Sequence, residues 1–494
     1  MASGMQEAAE AAQDGVQGAL GTRVRSAVLW RSGSQIAAQL VTWASTFLVI
    51  RLLGPADYGL FAMTQAMLVL LNLVNGWGFA NALIRAEEAP PLLVRQAFGL
   101  LLLLNGALAL LQVALAPLAA AYFRQPMVAE LLRWQALLYL ATPFIALSQA
   151  LLSRRLDFRA QAAAHLVSAF AGGGTALGCA LAGWGVWTLV AAPLALFWSQ
   201  AIVLTLLSRS LVRPSFRFAG AGSLVRFGGT MTAVQLLWFA QSQADVLIAG
   251  RAFDPHRIGL YTTALFLTQI FAAKFVPPLN EVAFAAYAQM QDRREAVAQG
   301  FLKAVRLILL IALPFYLGMA ATAGPLVMTL LGDQWAETAG LVRILAFAMP
   351  FMTLQILFAP ATNALGKPDV ALKVAAVGAV LFPACFLVAV RFGPEGMALG
   401  LAVAFPILCA VTAALSLPAI GASAAELGQA VAPGLFAAAA MAAGVVGLDL
   451  VLPVLDPPIR LALLVAFGAL LYGGLLFAFA RGTAAEALRL VLRR

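Results

Sequence analysis

Lys274 is the residue whose surroundings most demand an explanation. It lies inside the apolar run Ile258–Ala288, shortly before the pair Pro277-Pro278. An ionised lysine in the middle of a bilayer costs about 2.5–3.5 kcal/mol, so it must face water, a carboxylate or an anionic ligand. Two readings stand: Lys274 anchors an anionic substrate, or it pairs with Glu281 or Asp245. Asp245 reads in turn as a proton- or sodium-coupling group, or as a counter-ion for Arg251 or Lys274. Pro277-Pro278 removes two backbone donors and frees carbonyls, which makes a gating hinge the functional expectation there. Amides gather in related runs. Gln35 and Gln39 are four apart and Asn72 and Asn75 three apart, so each pair shares a helical face; Gln235 and Gln241 follow later. Arg31, at the start of the first run, is either a topogenic charge or a phosphate contact at the mouth of a cleft.

Nothing comparable points to catalysis. His165 and His256 lie in different halves of the chain, and Cys179, Cys385 and Cys409 sit in apolar runs without metal-ligand spacing. Gly172-Gly173-Gly174 lacks the Lys-Ser/Thr of a phosphate loop and reads as close helix packing. The longest outer loop, Ala323–Ala339, offers only Asp333 and Glu337 as carboxylates. No metal, cofactor or enzymatic activity is expected.

The elements that hold these residues follow from composition. Of 494 residues 63% are hydrophobic and 11% charged, against about 25% charged in soluble domains. Fourteen spans of about 21 residues each consume most of the chain and leave no room for a folded soluble domain. The formal charge of +10 therefore reads as cytoplasmic loops held inside by arginine, not as nucleic-acid binding. Threading fourteen helices from a cytoplasmic N-terminus puts 22 of the 31 basic residues on the inner side and 7 on the outer. That asymmetry supports the count and places both termini inside. The first 22 residues, mildly acidic and without an apolar core, read as a tail and not as a signal peptide.

A repeat divides the helices. Arg51-Leu-Leu-Gly54-Pro55-Ala-Asp57-Tyr58-Gly59-Leu-Phe61 returns 200 residues later as Arg251-Ala-Phe-Asp-Pro255-His-Arg-Ile-Gly259-Leu-Tyr261. One copy joins helices 1 and 2, the other helices 7 and 8, so the repeat is six helices and both copies run in the same direction. The fold class expected is an all-α integral membrane protein with two parallel six-helix lobes around a central cavity and a C-terminal helix pair. Its divisions are a cytoplasmic tail (1–22), an N-lobe (23–208), a basic cytoplasmic linker (209–227), a C-lobe (228–420), peripheral helices 13 and 14 (421–481) and a basic cytoplasmic tail (482–494). Arg51 and Arg251 are expected to cap helix ends and hold the hairpins. Helices 12, 13 and 14, nearly free of polar residues, are expected to face lipid.

The segment from Arg51 to Ala62 resembles the first-loop signature of Wzx-like polysaccharide flippases, the WzxC-type branch of the multidrug/oligosaccharidyl-lipid/polysaccharide exporter superfamily. Leu152–Arg159, Asp245–Gly250 with Ile258–Tyr261, Leu331–Trp335 and Asn363–Asp369 are similar to further stretches of that family. The resemblance covers about residues 25–420. It implies alternating access that carries a polyprenyl-diphosphate-linked oligosaccharide across the bacterial inner membrane, with polysaccharide polymerase and export machinery as further partners. Lys274 and Arg31 would then meet the diphosphate, and the Gln/Asn set the sugar hydroxyls. The alternatives are an ion-coupled multidrug antiporter of the same superfamily, a membrane polysaccharide polymerase or ligase, and a non-transporting scaffold.

Overall fold

A chain this apolar can satisfy its backbone in a bilayer only by closing its hydrogen bonds within helices. The computed structural model describes residues 38–72, 90–155, 157–216 and 236–479. A helix, or part of one, stands at each of the fourteen expected positions. They are α1 (Ala38–Leu52), α2 (Pro55–Asn72), α3 (Pro91–Phe123), α4 (Pro126–Arg154, interrupted at Ala136), α5 (Phe158–Leu181) and α6 (Trp187–Ser208). Then follow α7 (Ala244–Ala252, preceded by helical residues 236–242), α8 (Pro255–Gln289), α9 (Arg294–Ala321) and α10 (Thr338–Ala364, interrupted at Leu357). The last four are α11 (Pro368–Ala389), α12 (Gly393–Ile420), α13 (Ala424–Val451) and α14 (Pro457–Phe479).

Among the described residues ten stretches are long and apolar enough to cross a membrane. One of them, Pro368–Ile420, is α11 and α12 together, divided by the turn Val390–Phe392 and by Gly393 at φ +77°. The chain is a multi-pass membrane protein. Arg31, Gln35, Asn75 and Gln235, both expected tails and linker residues 217–227 lie outside the described residues.

Helix starts follow local chemistry. Proline opens α3, α4, α8 and α11, where its missing N–H has no partner to lose. Ser423 and Glu426 form a reciprocal capping box on α13. Gly183, at φ +75°, turns α5 into α6 where the sequence offered little else to mark a division.

The described residues fall into two compact units: 38–53 with 71–216, and 54–70 with 236–479. In the first, Val94, Phe98 and Leu101 of α3 pack on Ala146, Leu147 and Ala150 of α4. Ala141, Ile145 and Leu152 then join α4 to Ala164 of α5 and to Ala201 and Leu204 of α6. In the second, Phe271 of α8 meets Phe315 and Tyr316 of α9, and the Tyr316 hydroxyl lies 3.1 Å from Thr353 Oγ1 of α10. The outer helices attach by the same means. Met441 and Val445 of α13 pack with Leu464 of α14. Pro314 has no N–H to give the Leu310 carbonyl, and Tyr472 of α14 donates to that oxygen at 2.6 Å instead.

Three details depart from expectation. Helix 12 does not face lipid like its two successors. α12 buries Ala398, Leu401, Ala404, Leu408 and Thr412 along its length, whereas only 22% and 17% of the apolar windows of α13 and α14 are buried. Small apolar residues pack helices closely, so scarcity of polar residues was a poor guide to exposure. The supposed loop Ala323–Ala339 holds a helix, Ala323–Leu330, and a single turn, Asp333–Trp335, with Trp335 fully buried. Chain order puts α2 in the N-lobe, yet its residues 54–70 pack with the second unit.

Candidate functional site

The repeated hairpin is what draws α2 into that unit. Pro55 and Pro255 each occupy the first position of their helix, and one turn later come Gly59 and Gly259. A methyl group on Gly59 would overlap the Pro255 carbonyl, and one on Gly259 would overlap the Pro55 carbonyl. The two copies of the motif therefore cross one another reciprocally, backbone against backbone. Only glycine permits that approach.

The copies also divide a capping box between them. In the first, the Gly54 N–H donates to Asp57 Oδ2 at 3.2 Å; in the second, the Arg257 N–H donates to Asp254 Oδ1 at 3.0 Å. Both acids serve a helix N-terminus, one from inside the first turn and one from the cap. This explains why Asp57 has Arg257, and not another acid, at the matching position. Tyr58 extends the first motif by packing edge-on against Trp335, with ring centroids 5.6 Å apart. The Arg51–Ala62 and Leu331–Trp335 segments, remote in sequence, are thus one contact.

The second copy carries an acid that the first lacks. Asp245 and Tyr261 correspond by offset to Ser45 and Phe61. Asp245 is buried; its Oδ1 accepts the Val246 N–H at 2.7 Å and its Oδ2 accepts the fully buried Tyr261 hydroxyl at 3.1 Å. Its place in the first turn of α7 adds the favourable end of the helix dipole. Ser45, by contrast, bonds back to the Val41 carbonyl and packs on Gly173 of α5. Tyr261→Phe should remove one of the carboxylate's donors and cost about 1–3 kcal/mol. Its thermal unfolding in detergent would check this, because an unchanged midpoint would mean that the hydroxyl supports nothing.

α8 runs unbroken through Pro277 and Pro278. Lys274 is exposed, and among the described residues no carboxylate stands within ion-pair distance of it. Glu281, also exposed, lies two turns further along the same face. Between them, Asn280 has another task. Pro360 cannot donate to the carbonyl of Ile356 four residues earlier, and Asn280 Nδ2 does so from α8 at 3.2 Å. The proline and the amide should therefore be coupled. Asn280→Ala is expected to lose about 0.6–1.7 kcal/mol, the range for hydrogen bonds between membrane helices, and to lose much less once Pro360→Ala restores the local bond. A double-mutant cycle on unfolding measures this, and full additivity would exclude it.

The remaining amides are dispersed. Gln241 is half-buried, its amide oxygen filling the space that a side chain at Gly378 of α11 would take. Gln39 is half-buried on α1, and Asn72 is exposed at the end of α2. Arg51 and Arg251 are exposed at the ends of α1 and α7. Sequence reasoning missed the Tyr58–Trp335 contact, Gly378 and the Asn280–Ile356 bond. Only the last had a signal, since every intrahelical proline names the carbonyl that it leaves free.

Residues 48–340 match the family described as "Polysaccharide biosynthesis protein". The chain belongs to that family. The matched stretch holds both hairpin copies, Asp245, Lys274 and Trp335. Among its relatives are the succinoglycan biosynthesis transport protein ExoT of Rhizobium meliloti (strain 1021), 26% identical over 338 residues, and the lipopolysaccharide biosynthesis protein WzxC of Escherichia coli (strain K12), 22% identical over 301. These alignments cover 68% and 60% of this chain and span 66% and 60% of the relatives' own lengths. The fold matches that of the lipid II flippase MurJ in an inward closed conformation, with a TM-score of 0.74 at 11% identity over 92% of this chain and 99% of that one. This polysaccharide biosynthesis protein therefore shares the fold of that structure.

Proposed function

We propose that the protein moves a polyprenyl-diphosphate-linked oligosaccharide repeat unit from the cytoplasmic to the periplasmic leaflet of the bacterial inner membrane. It does so by alternating access, as a step in exopolysaccharide, capsule or O-antigen synthesis, with both termini in the cytoplasm. The observation that carries this reading is Lys274. An exposed ammonium within an apolar helix, with no carboxylate beside it among the described residues, suits a ligand that brings its own negative charge. A diphosphate does, and a charge-assisted contact to phosphate oxygen is of the stronger kind. Membership of a polysaccharide biosynthesis family and a fold shared with a lipid II flippase support the same substrate class. Gln39, Asn72 and Gln241 would offer amides to sugar hydroxyls, while the polyprenyl tail stays in lipid. Pro277 and Pro278 would give α8 its hinge. Polysaccharide polymerase and export machinery would take the product.

Reconstitution tests this directly. Liposomes containing the protein should exchange a fluorescent polyprenyl-diphosphate sugar between leaflets faster than empty liposomes, and equal rates would reject the reading. An ion-coupled antiporter would instead expel a cationic dye when a proton or sodium gradient is imposed. That reading needs a reachable carboxylate. Asp245 is buried and engaged with Tyr261, leaving Glu281 as the exposed acid of α8.

A further inference from the structure

Residues 209–216 leave α6 as an extended strap laid across one end of the first unit. Arg209, at φ +52°, turns the chain out of the helix. Inward-facing residues then fasten it. The Ser210 hydroxyl lies 2.8 Å from Ser148 Oγ and 2.7 Å from Ser208 Oγ, and Val212 packs into the α3–α4 core. The Ser215 N–H donates to the Arg95 carbonyl at 2.9 Å, and the Arg95 Nε donates back to the Arg213 carbonyl at 3.0 Å. Gly99 leaves room for the Ser215 carbonyl, and Arg155 reaches the Ser208 carbonyl at 3.2 Å.

The outward residues have a different character. Leu211 is 79% exposed and Phe216 55% exposed, with the exposed Arg213 between them. Around the strap stand Arg95, Arg155 and Arg209, all exposed. Among the described residues of 90–100, 150–160 and 205–216 there is one carboxylate, Asp157, and its Oδ1 is engaged in capping the Ala160 N–H. The fastening bonds use the strap's backbone and its small side chains, so none of them needs the side chains of Leu211, Arg213 or Phe216.

We propose that the outer side of this strap binds anionic phospholipid headgroups of the cytoplasmic leaflet. The arginines take the phosphates, while Leu211 and Phe216 enter the boundary between headgroups and acyl chains. The proposal uses the topology in which this arginine-rich end is cytoplasmic, and it is independent of what the protein transports. Alternation of large apolar with basic residues at a membrane interface is the chemistry that an anionic bilayer surface recognises. A free phosphate would satisfy the arginines and leave Leu211 and Phe216 unused.

The test uses the full-length protein, purified free of lipid and offered phosphatidylglycerol or phosphatidylcholine, with retained lipid counted by native mass spectrometry. Wild type should retain phosphatidylglycerol preferentially, and Arg213→Gln should lower that preference about fivefold, the weight of one juxtamembrane arginine. Leu211→Ser with Phe216→Ser should lower retention of phosphatidylglycerol while leaving the lipid-free melting temperature unchanged. Inorganic pyrophosphate should not displace the lipid. Equal retention of the two lipids by wild type, an unchanged preference in Arg213→Gln, or displacement by pyrophosphate would each overturn the proposal.

Discussion

Gly259→Ala is expected to be among the most damaging single-methyl changes in this protein. Two effects oppose each other. Replacing a helical glycine by alanine gains about 0.5–1 kcal/mol in backbone entropy. The added methyl, however, falls on the Pro55 carbonyl, and overpacking costs about 1–3 kcal/mol even where a side chain can yield. Here the obstacle is main chain at a helix start, held by the Gly54–Asp57 bond, so the clash wins. Gly59→Ala meets the Pro255 carbonyl in the same way. Because both methyls open the same crossing, the double variant should lose less than the sum of the two. Gly54→Ala is the control, since a methyl there would come no closer than 4.0 Å to Asp57 Oδ2. Thermal unfolding in detergent and polysaccharide output in cells should both fall for Gly59→Ala and Gly259→Ala and hold for Gly54→Ala. If all three melt alike, the crossing does not support the fold.

Lys274→Ala is expected to separate stability from transport. The side chain is exposed and among the described residues has no carboxylate beside it, so its removal breaks no ion pair there. It also relieves about 2.5–3.5 kcal/mol of insertion cost. The variant should therefore insert and melt at least as well as wild type. Transport should move the other way. Losing a charged hydrogen bond to diphosphate costs about 1.5–3 kcal/mol, or roughly 10–100-fold in rate if the contact is made in the rate-limiting step. Lys274→Arg should keep most of the activity, because phosphate accepts either cation. A lysine retained for structure would give the opposite pattern, a destabilised variant with transport falling only in proportion to folded protein. Leaflet exchange measured beside the melting curve distinguishes the two.

How much was legible in advance varied with the physics of each feature. Helix positions were open to inspection because a bilayer imposes a length and a polarity on every span. The repeat was visible as well, since Arg, Pro, Gly and an aromatic recur at one offset. Its meaning was not. A turn and a helix crossing both ask for proline and glycine, and the choice depends on what stands opposite Gly59. The exposure of α12 was misread for a related reason: alanine and glycine suit lipid and tight packing equally well.

The site divides along the same line. By itself the sequence determined that a lysine and a few carboxylates sit where charge is costly, that the apolar runs number fourteen, and that a hairpin motif returns 200 residues later. These are properties of single residues or of regular spacing, and solvation alone reveals them. Tertiary structure decided which of those charges are engaged. It gave Asp245 to Tyr261 and Asn280 to the carbonyl that Pro360 leaves free, and it left Lys274 without a carboxylate among the described residues. Pairing depends on distances of about 3 Å between helices remote in sequence, and no periodicity within one helix records what its neighbour presents.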